Sequence, residues 1–479
     1  SRPTVRGRFL IVPAGCLFSH TSTMLFAASQ DLWSLCGVVN STPYTYLLHS
    51  LMPRGGGDTG QTLQYEVGYV ASVPIPETHR KSGFEASTAL AWRLGYLRAS
   101  VDETSHAFSL PTILRHRLGE FSSAAIEAGL ARCQVEIDAI AFDLYGFAEA
   151  DRLAALRQSS GEPSGANPDA AGDEAGGGDT EPEPPPVDAL LSWAVGVAFG
   201  RFDWRLASGE RVAPADPDPF DPLPTKSPGM LPDGDAPFHA HGGILVDDIG
   251  HAHDLVRIVE HVLEKVDMPV PADLRRWLQR DYFPFHLQRY FKSRRKAPIY
   301  WPLTTASGRY TLWLYYPSLT SQTLYTAIND FVEPKLVDVV KEASGLKTKG
   351  SARSREEEKR LEALTTLEAE LIDLRDQLQA IAPRYRPNHD DGVQITAAPL
   401  WPLFRHKPWQ KLLKDTWAKL QKGDYDWAHL AMNYWPERVR EKCMTDKSLA
   451  IAHDLEDLYV EPEAAPKKTK GRKKKEDAE

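Results

Sequence analysis

The first part of the chain alternates short apolar runs with turn residues. Between residues 8 and 76, the apolar stretch Trp33–Val39 leads into the turn-forming Asn40–Pro43, after which apolar residues resume. Tyr65–Val70 has the aromatic and β-branched content of a strand. Pro74 and Pro76 are expected to stop that strand, because proline cannot donate a hydrogen bond to a sheet ladder. The pattern predicts mixed α/β or β structure here.

A long amphipathic helix is predicted from Ser122 to Tyr145. Its apolar face has three- and four-residue spacing and consists of Ile126, Leu130, Cys133, Ile137, Ile140 and Leu144. Gly146 follows directly, and glycine readily adopts the left-handed conformation that ends many helices.

Shorter elements are predicted further along the chain. They are an apolar helix at 188–199, a proline-rich loop at 214–237, a strand at 244–246, an amphipathic helix at 253–266 and a strand at 310–316. The final stretch, 401–459, is predicted to be helical and is rich in tryptophan.

Two long helices, 323–343 and 355–381, flank a turn rich in Lys, Gly and Ser. The second helix repeats leucine at three- and four-residue spacing from Leu361 to Leu378, with charged residues at the other positions. This spacing predicts that the two helices form an antiparallel coiled-coil arm.

Two segments have compositions that cannot build a core. Residues 151–187 contain an acidic stretch rich in Pro and Gly, which predicts a disordered linker. Residues 461–479 end in lysine runs and are predicted to be a basic, disordered tail.

Composition narrows the class of protein. A chain of 479 residues with 42% hydrophobic and 25% charged residues is typical of a soluble protein of several domains. Neither a membrane-spanning run nor a signal peptide is found, and the four widely spaced cysteines favour a reducing cytoplasm without a disulfide frame or zinc site. Because the chain starts at Ser1 and enters an apolar run almost at once, we expect it to be a fragment of a longer protein.

The net charge of -9 argues against a protein that coats nucleic acid over its whole surface, but it allows one basic cleft. Basic and aromatic residues do concentrate in one segment, and its candidate DNA-binding residues are Arg289, Lys292, Arg294, Arg295, Lys296, Tyr300 and Trp301. Arg and Lys can contact phosphate, while Tyr and Trp can stack on a displaced base. The alternative is a basic surface turn in which Tyr300 and Trp301 pack inward.

Three other candidate sites fit known chemistry poorly. Asp216–Pro222 has the acidic, proline and aromatic residues that hold a flipped adenine, but Asp218 separates the prolines and no strand precedes them. Gly55–Gly60 lacks the preceding strand and following helix of a cofactor loop, and the Lys and Ser/Thr of a P-loop are missing. Both are therefore interpreted as loops.

The third candidate comprises His239, His241, His251 and His253 with neighbouring aspartates. Paired histidines can bind zinc or a dimetal pair, yet these surround a glycine-rich turn, where helix capping and solvent exposure are the favoured interpretation. No catalytic, cofactor-binding or metal-binding residue is therefore predicted.

Several segments together resemble one family, the fused restriction–modification adenine methyltransferases. Those before the linker resemble its target-recognition region and the helix that closes it, and they are Gly37–Ser41, Tyr65–Gly68, Pro74–Pro76 and Ile137–Phe147. Those after it are similar to the carboxy-terminal half of the BREX/DISARM-type enzymes, and they are Phe199–Arg205, Gly243–Asp248, Lys292–Trp301, Tyr425–Ala431 and Asp446–His453.

The resemblance implies a function that this chain alone cannot complete. Such enzymes transfer a methyl group from S-adenosylmethionine to adenine N6 and mark host DNA in phage-defence or restriction–modification systems. Their methyltransferase domain lies amino-terminal to the matched region, so no catalytic or cofactor residue carries over. The implied role of this chain is to recognise double-stranded DNA. It would act together with the missing methyltransferase domain or a partner subunit, and other defence-system proteins are further expected partners.

The expected fold class is α+β, with a mixed α/β target-recognition region followed by a mostly helical carboxy-terminal half. The expected domains are a target-recognition part at 1–150, the linker at 151–187, a mixed α/β DNA-contacting region at 188–322, the helical arm at 323–382, a Trp-rich helical region at 383–460 and the tail at 461–479. Two alternatives stay open: a non-catalytic scaffold subunit of a defence complex, and a metal enzyme built on the four histidines.

Overall fold

The computed structural model describes residues 9–12, 15–16, 24–52, 67–81, 83–159, 184–222, 224–292 and 295–461. These residues are mostly helical and include one small antiparallel sheet, so the predicted α+β class is confirmed at this level. None of the described helices combines the length and apolar character that crossing a membrane requires. The Gly55–Gly60 loop and most of the linker and tail lie outside the described residues.

The chain divides into two compact units. Unit 1 comprises residues 1–241 and 255–278, and unit 2 comprises residues 242–254 and 279–479. The region expected at 188–322 contributes to both units.

Unit 1 is built from helices. In chain order they are α1 (Leu32–Val39), α2 (Thr42–Leu51), α3 (Val67–Ser72), α4 (Phe84–Ala99), α5 (Thr112–Arg115), α6 (Ser123–Tyr145), α7 (Glu149–Ser159), α8 (Pro186–Ala198), α9 (Arg205–Ser208), α10 (Leu255–Lys265) and the first part of α11 (Leu274–Arg280). The predicted helices at 122–145, 188–199 and 253–266 are confirmed as α6, α8 and α10. Gly146 ends α6 with φ 66°, as its position predicted.

The strand predicted at Tyr65–Val70 is wrong, because Val67–Ser72 forms helix α3. No strand occurs in the described part of residues 1–150, so mixed α/β structure is not found there. The helices bury Val38, Tyr44 and Val70 in one core with Ile137 of α6. Burial in this shared core thus outweighs the strand preference of these residues, since propensity is a weaker effect than burial.

The start of α2 is held in place by polar contacts. The Ser41 side chain accepts a hydrogen bond from the Tyr44 backbone N–H and caps the helix. The Asp138 carboxylate of α6 accepts from the Thr42 backbone N–H at 2.7 Å and from its hydroxyl at 2.8 Å. Asn40 and Ser41 therefore form the turn between α1 and α2, whereas Thr42 and Pro43 already belong to α2.

Unit 2 contains all the strands of the described chain. They are β1 (Ile244–Asp247), β2 (Phe291–Lys292), β3 (Arg295–Lys296), β4 (Tyr300–Thr304) and β5 (Thr311–Tyr315). The three-stranded antiparallel sheet has the order β1-β5-β4, with Leu314 of β5 opposite both Ile244 and Trp301. The strands predicted at 244–246 and 310–316 are confirmed.

The remaining elements of unit 2 are mostly helices. They are the end of α11, α12 (Tyr282–Arg289), α13 (Thr323–Thr326), α14 (Glu333–Thr348), α15 (Arg355–Ile381), α16 (Val393–Ala397), α17 (Lys407–Lys422), α18 (His429–Tyr434), α19 (Pro436–Cys443) and α20 (Lys447–Ala452). A π-helical segment, Ala327–Val332, joins α13 to α14. The helices predicted at 323–343 and 355–381 are confirmed, and the final stretch is helical as expected.

Helices α14 and α15 lie side by side in opposite directions. Arg360 of α15 forms an ion pair with Glu342 of α14 at 2.8 Å, and Arg375 lies 3.6 Å from Glu333. Leu364, Leu371, Leu374 and Leu378 form the buried stripe of α15.

Candidate nucleic-acid interface

The predicted basic segment folds as the end of a helix and a small hairpin. Helix α12 ends at Arg289, and strands β2 and β3 pair so that Lys292 lies opposite Arg295 and Phe291 opposite Lys296. The Ala297 N–H donates to the Tyr290 carbonyl at 2.8 Å, which closes the base of the hairpin. Arg294 lies outside the described residues. The backbone register thus gathers the basic positions onto one short two-stranded element.

A buried histidine fixes the base of this hairpin. His286 of α12 is fully buried, and its Nε2 accepts hydrogen bonds from the backbone N–H groups of Ile299 at 2.8 Å and Tyr300 at 3.3 Å. These bonds hold the start of β4 against α12, the two elements between which the hairpin lies in the sequence.

The structure places two of the predicted site residues in the core. Tyr300 is 1% exposed and Trp301 is fully buried. The Trp301 Nε1–H donates to the Pro298 carbonyl at 2.8 Å, and the Tyr300 ring stacks on Tyr315 with centroids 5.4 Å apart. Because both rings are buried, neither can stack on a base. The structure therefore agrees with the alternative in which Tyr300 and Trp301 pack inward. Arg289 and Lys296 stay partly exposed.

Helix α17 carries a basic face that the sequence analysis did not single out. The helix buries Trp409, Leu413, Thr416 and Leu420, and its exposed lysines are Lys407, Lys411, Lys414, Lys419 and Lys422. Asp415 is its one acidic residue. Within the described part of the chain, none of these five lysines forms an ion pair with an acidic side chain. The three- and four-residue spacing of Lys407, Lys411 and Lys414 was the sequence signal for this face.

Fold stability does not explain this arrangement. Like charges three or four residues apart on a helix destabilise it by roughly 0.2–0.5 kcal/mol per pair. Lys407 and Lys411 have that spacing, as do Lys411 and Lys414. Lys414 lies over the Trp401 ring, 5.1 Å from its centroid, and Lys419 over the Tyr425 ring, 5.9 Å from its centroid, which offsets part of the cost of these two charges. The lysine face is therefore better suited to an anionic partner than to helix stability.

The hairpin and the start of α17 are neighbours. His406 is the N-cap of α17, where its Nδ1 accepts from the Trp409 N–H at 3.4 Å, and its ring lies 5.7 Å from the Phe283 ring of α12. Burial lowers the pKa of His406, and the nearby positive charge of Lys296 in β3 lowers it further. We call the hairpin 291–296 and the lysine face of α17 together the basic surface.

Among the described residues, neither the Asp216–Pro222 loop nor the histidine pairs form a metal site. Phe220 of the Asp216–Pro222 loop packs against Trp33, with ring centroids 5.8 Å apart. His239 and His241 belong to unit 1, whereas His251 and His253 belong to unit 2. Across the described ranges, no group of three or more His, Cys, Asp or Glu side chains is arranged to hold a metal ion.

The comparisons with known proteins add no family. No protein-family model matches the chain, and no curated protein matches it either. A functional assignment therefore depends on the chemistry of the basic surface and on the resemblance described above.

Proposed function

We propose that this chain is the DNA-recognition portion of an S-adenosylmethionine-dependent adenine-N6 DNA methyltransferase in a phage-defence or restriction–modification system. One observation carries the DNA-binding part of the proposal: in a chain with a net charge of -9, five lysines lie exposed on helix α17, whose N-cap His406 neighbours Lys296 of the hairpin. The methyltransferase part depends on the resemblance. S-adenosylmethionine and the catalytic groups would be supplied by an amino-terminal domain or a partner subunit.

The dimensions of α17 suit a DNA backbone. A helix of 16 residues is about 24 Å long, and each strand of duplex DNA carries one phosphate per roughly 3.4 Å of axis. Lys407, Lys411, Lys414 and Lys422 recur on one side of this length. When such lysines bind phosphates, counterions are released from the DNA, and the contacts position the protein without reading the base sequence.

Base reading is assigned in this proposal to residues 1–150. The described part of that region is helical, and the major groove admits an α-helix whose side chains reach the base edges. The antiparallel pair α14–α15 is assigned the role of a coiled-coil arm that couples parts of the assembly.

The hairpin provides the direct test. Replacing Lys292, Arg294, Arg295 and Lys296 by Ala should weaken binding to every duplex, whatever its sequence. The slope of log affinity against log salt should fall by about 0.9 for each phosphate that the variant no longer neutralises. A matched control replaces Lys341, Lys347, Arg355 and Lys359 of α14 and α15, all exposed, by Ala. Titration of labelled duplex at several salt concentrations gives both quantities.

Equal affinity of the hairpin variant and the wild-type chain would remove the DNA assignment. Absence of DNA binding by the wild-type chain, together with a stable complex in pull-downs, would favour the scaffold alternative instead.

A further inference from the structure

Trp427 is the most exposed tryptophan of the chain. All twelve tryptophans fall within the described residues, and Trp427 is 46% exposed, whereas Trp193, Trp301 and Trp409 are fully buried. An indole is one of the largest apolar groups in a protein, so leaving it in water forgoes burial energy. Its exposed ring is therefore a candidate contact for a ligand.

The turn that carries Trp427 is fixed on both sides. The Asp426 side chain is 4% exposed, and its carboxylate lies 2.6 Å from both Arg438 Nη2 and Lys442 Nζ. His453 Nε2 donates to the Asp426 carbonyl at 2.6 Å, and Ala428 is fully buried. Trp427 is therefore held outward by a rigid backbone, and a ligand would find it already in place.

The surroundings of Trp427 are aromatic and cationic. The Tyr425 ring lies 6.2 Å from the Trp427 ring, and Lys419 Nζ is 5.9 Å from the Tyr425 centroid. Lys419 and Lys422 stand in the last turn of α17, so the lysine face runs from the hairpin end of this helix towards Trp427. The buried charge of Asp426 is paired, which leaves Asp424 as the exposed acid of the turn.

We infer that Trp427 and Tyr425 form a stacking site for an unpaired nucleotide base at the far end of the DNA path along α17. Every base has a π-face, so an aromatic platform beside cations binds single-stranded nucleotides with little sequence preference. Trp427 would stack on the base, while Lys419 and Lys422 would lie near the flanking phosphates. This inference rests on the proposed function, and it adds an affinity for DNA that is not fully paired.

The test compares a fully paired duplex with the same duplex carrying a single-stranded oligothymidine extension. We expect wild-type chain to prefer the extended duplex and Trp427→Ala to bind it about tenfold more weakly, because base stacking on one aromatic ring has this magnitude. Binding to the paired duplex should change by less than roughly twofold. Trp427→Phe should keep most of the preference, and Asp424→Asn should strengthen binding to the extension. The control is Ile451→Ala, which removes an apolar side chain that is 52% exposed.

Two results would overturn the inference while leaving the proposed function in place. One is duplex binding with no preference for the extension. The other is an equal reduction in affinity for both DNAs in Trp427→Ala, which would assign Trp427 to the duplex contact or to the fold. Loss of a protein partner by Trp427→Ala with unchanged DNA binding would also overturn it. A wild-type chain that binds neither DNA would remove both proposals.

Discussion

Helices α15 and α17 of unit 2 both bury an apolar face, but they differ in the charges on their exposed faces. Each packs an apolar stripe into the core, including Leu371 in α15 and Leu413 in α17, which are fully buried. The exposed residues of α15 are mixed in charge, with eight acidic and four basic residues in the helix, and Arg360 and Arg375 form ion pairs. Helix α17 has one acidic and five basic residues, and its lysines are not paired with acids within the described chain.

In both helices the buried apolar residues anchor the helix in the fold, whereas the exposed charges determine which partner the helix can bind. Mixed charges at three- and four-residue spacing stabilise a helix slightly, while a face of one sign costs stability and attracts the opposite charge. The two helices also begin differently. Ser354 and Glu357 form a capping box at α15, whereas His406 caps α17.

The largest effect expected concerns the shared, buried side. Leu371→Ala and Leu413→Ala should each lower the free energy of unfolding by about 2–5 kcal/mol, because each removes a fully buried leucine and leaves a cavity. Urea denaturation measures both reductions, and Leu367→Ala, at a half-buried position of α15, is the milder control. A reduction at Leu413 no greater than at Leu367 would show that α17 is not anchored like α15.

A smaller effect concerns the two caps. The pKa of His406 is lowered in the fold from its usual 6.5 by burial and by Lys296. The unfolded chain therefore takes up a proton more readily, so stability is complete above about pH 6.5 and falls as the pH drops through that value towards the folded pKa. His406→Asn keeps a capping side chain but does not titrate, so its unfolding free energy should change less over this pH range. Ser354→Asn at α15 is the matched control. An equal change in the pH dependence of the unfolding free energy in both variants would contradict the role of His406.

Much of the architecture could be predicted from local pattern. The limits of α15 and α6 follow from apolar spacing with Ser354, Ser122 and Gly146 at their ends, since caps and periodicity are properties of neighbouring residues. Residues 67–72 could not be assigned this way, because Val70 is buried in a core shared with Tyr44 and Ile137, which lie far from it in the sequence.

The candidate site was predicted only in part, for a similar reason. The charges of the hairpin are evident in the sequence, but the burial of Tyr300 and Trp301 depends on what covers both faces of β4. The lysine spacing on α17 is present in the sequence as well, but only the fold shows that these lysines are exposed together. The proximity of Lys296 to His406 is a tertiary contact that no local pattern contains.

The salt dependence of duplex binding tests the basic surface most directly. The variant Lys407→Ala, Lys411→Ala, Lys414→Ala is compared with Lys341→Ala, Lys347→Ala, Lys359→Ala, which removes the same charge from exposed positions of α14 and α15. We expect the slope of log affinity against log salt to fall by about 0.9 per lysine in the α17 variant and to stay at the wild-type value in the control. Equal slopes in the two variants would contradict the assignment of α17 to the DNA backbone.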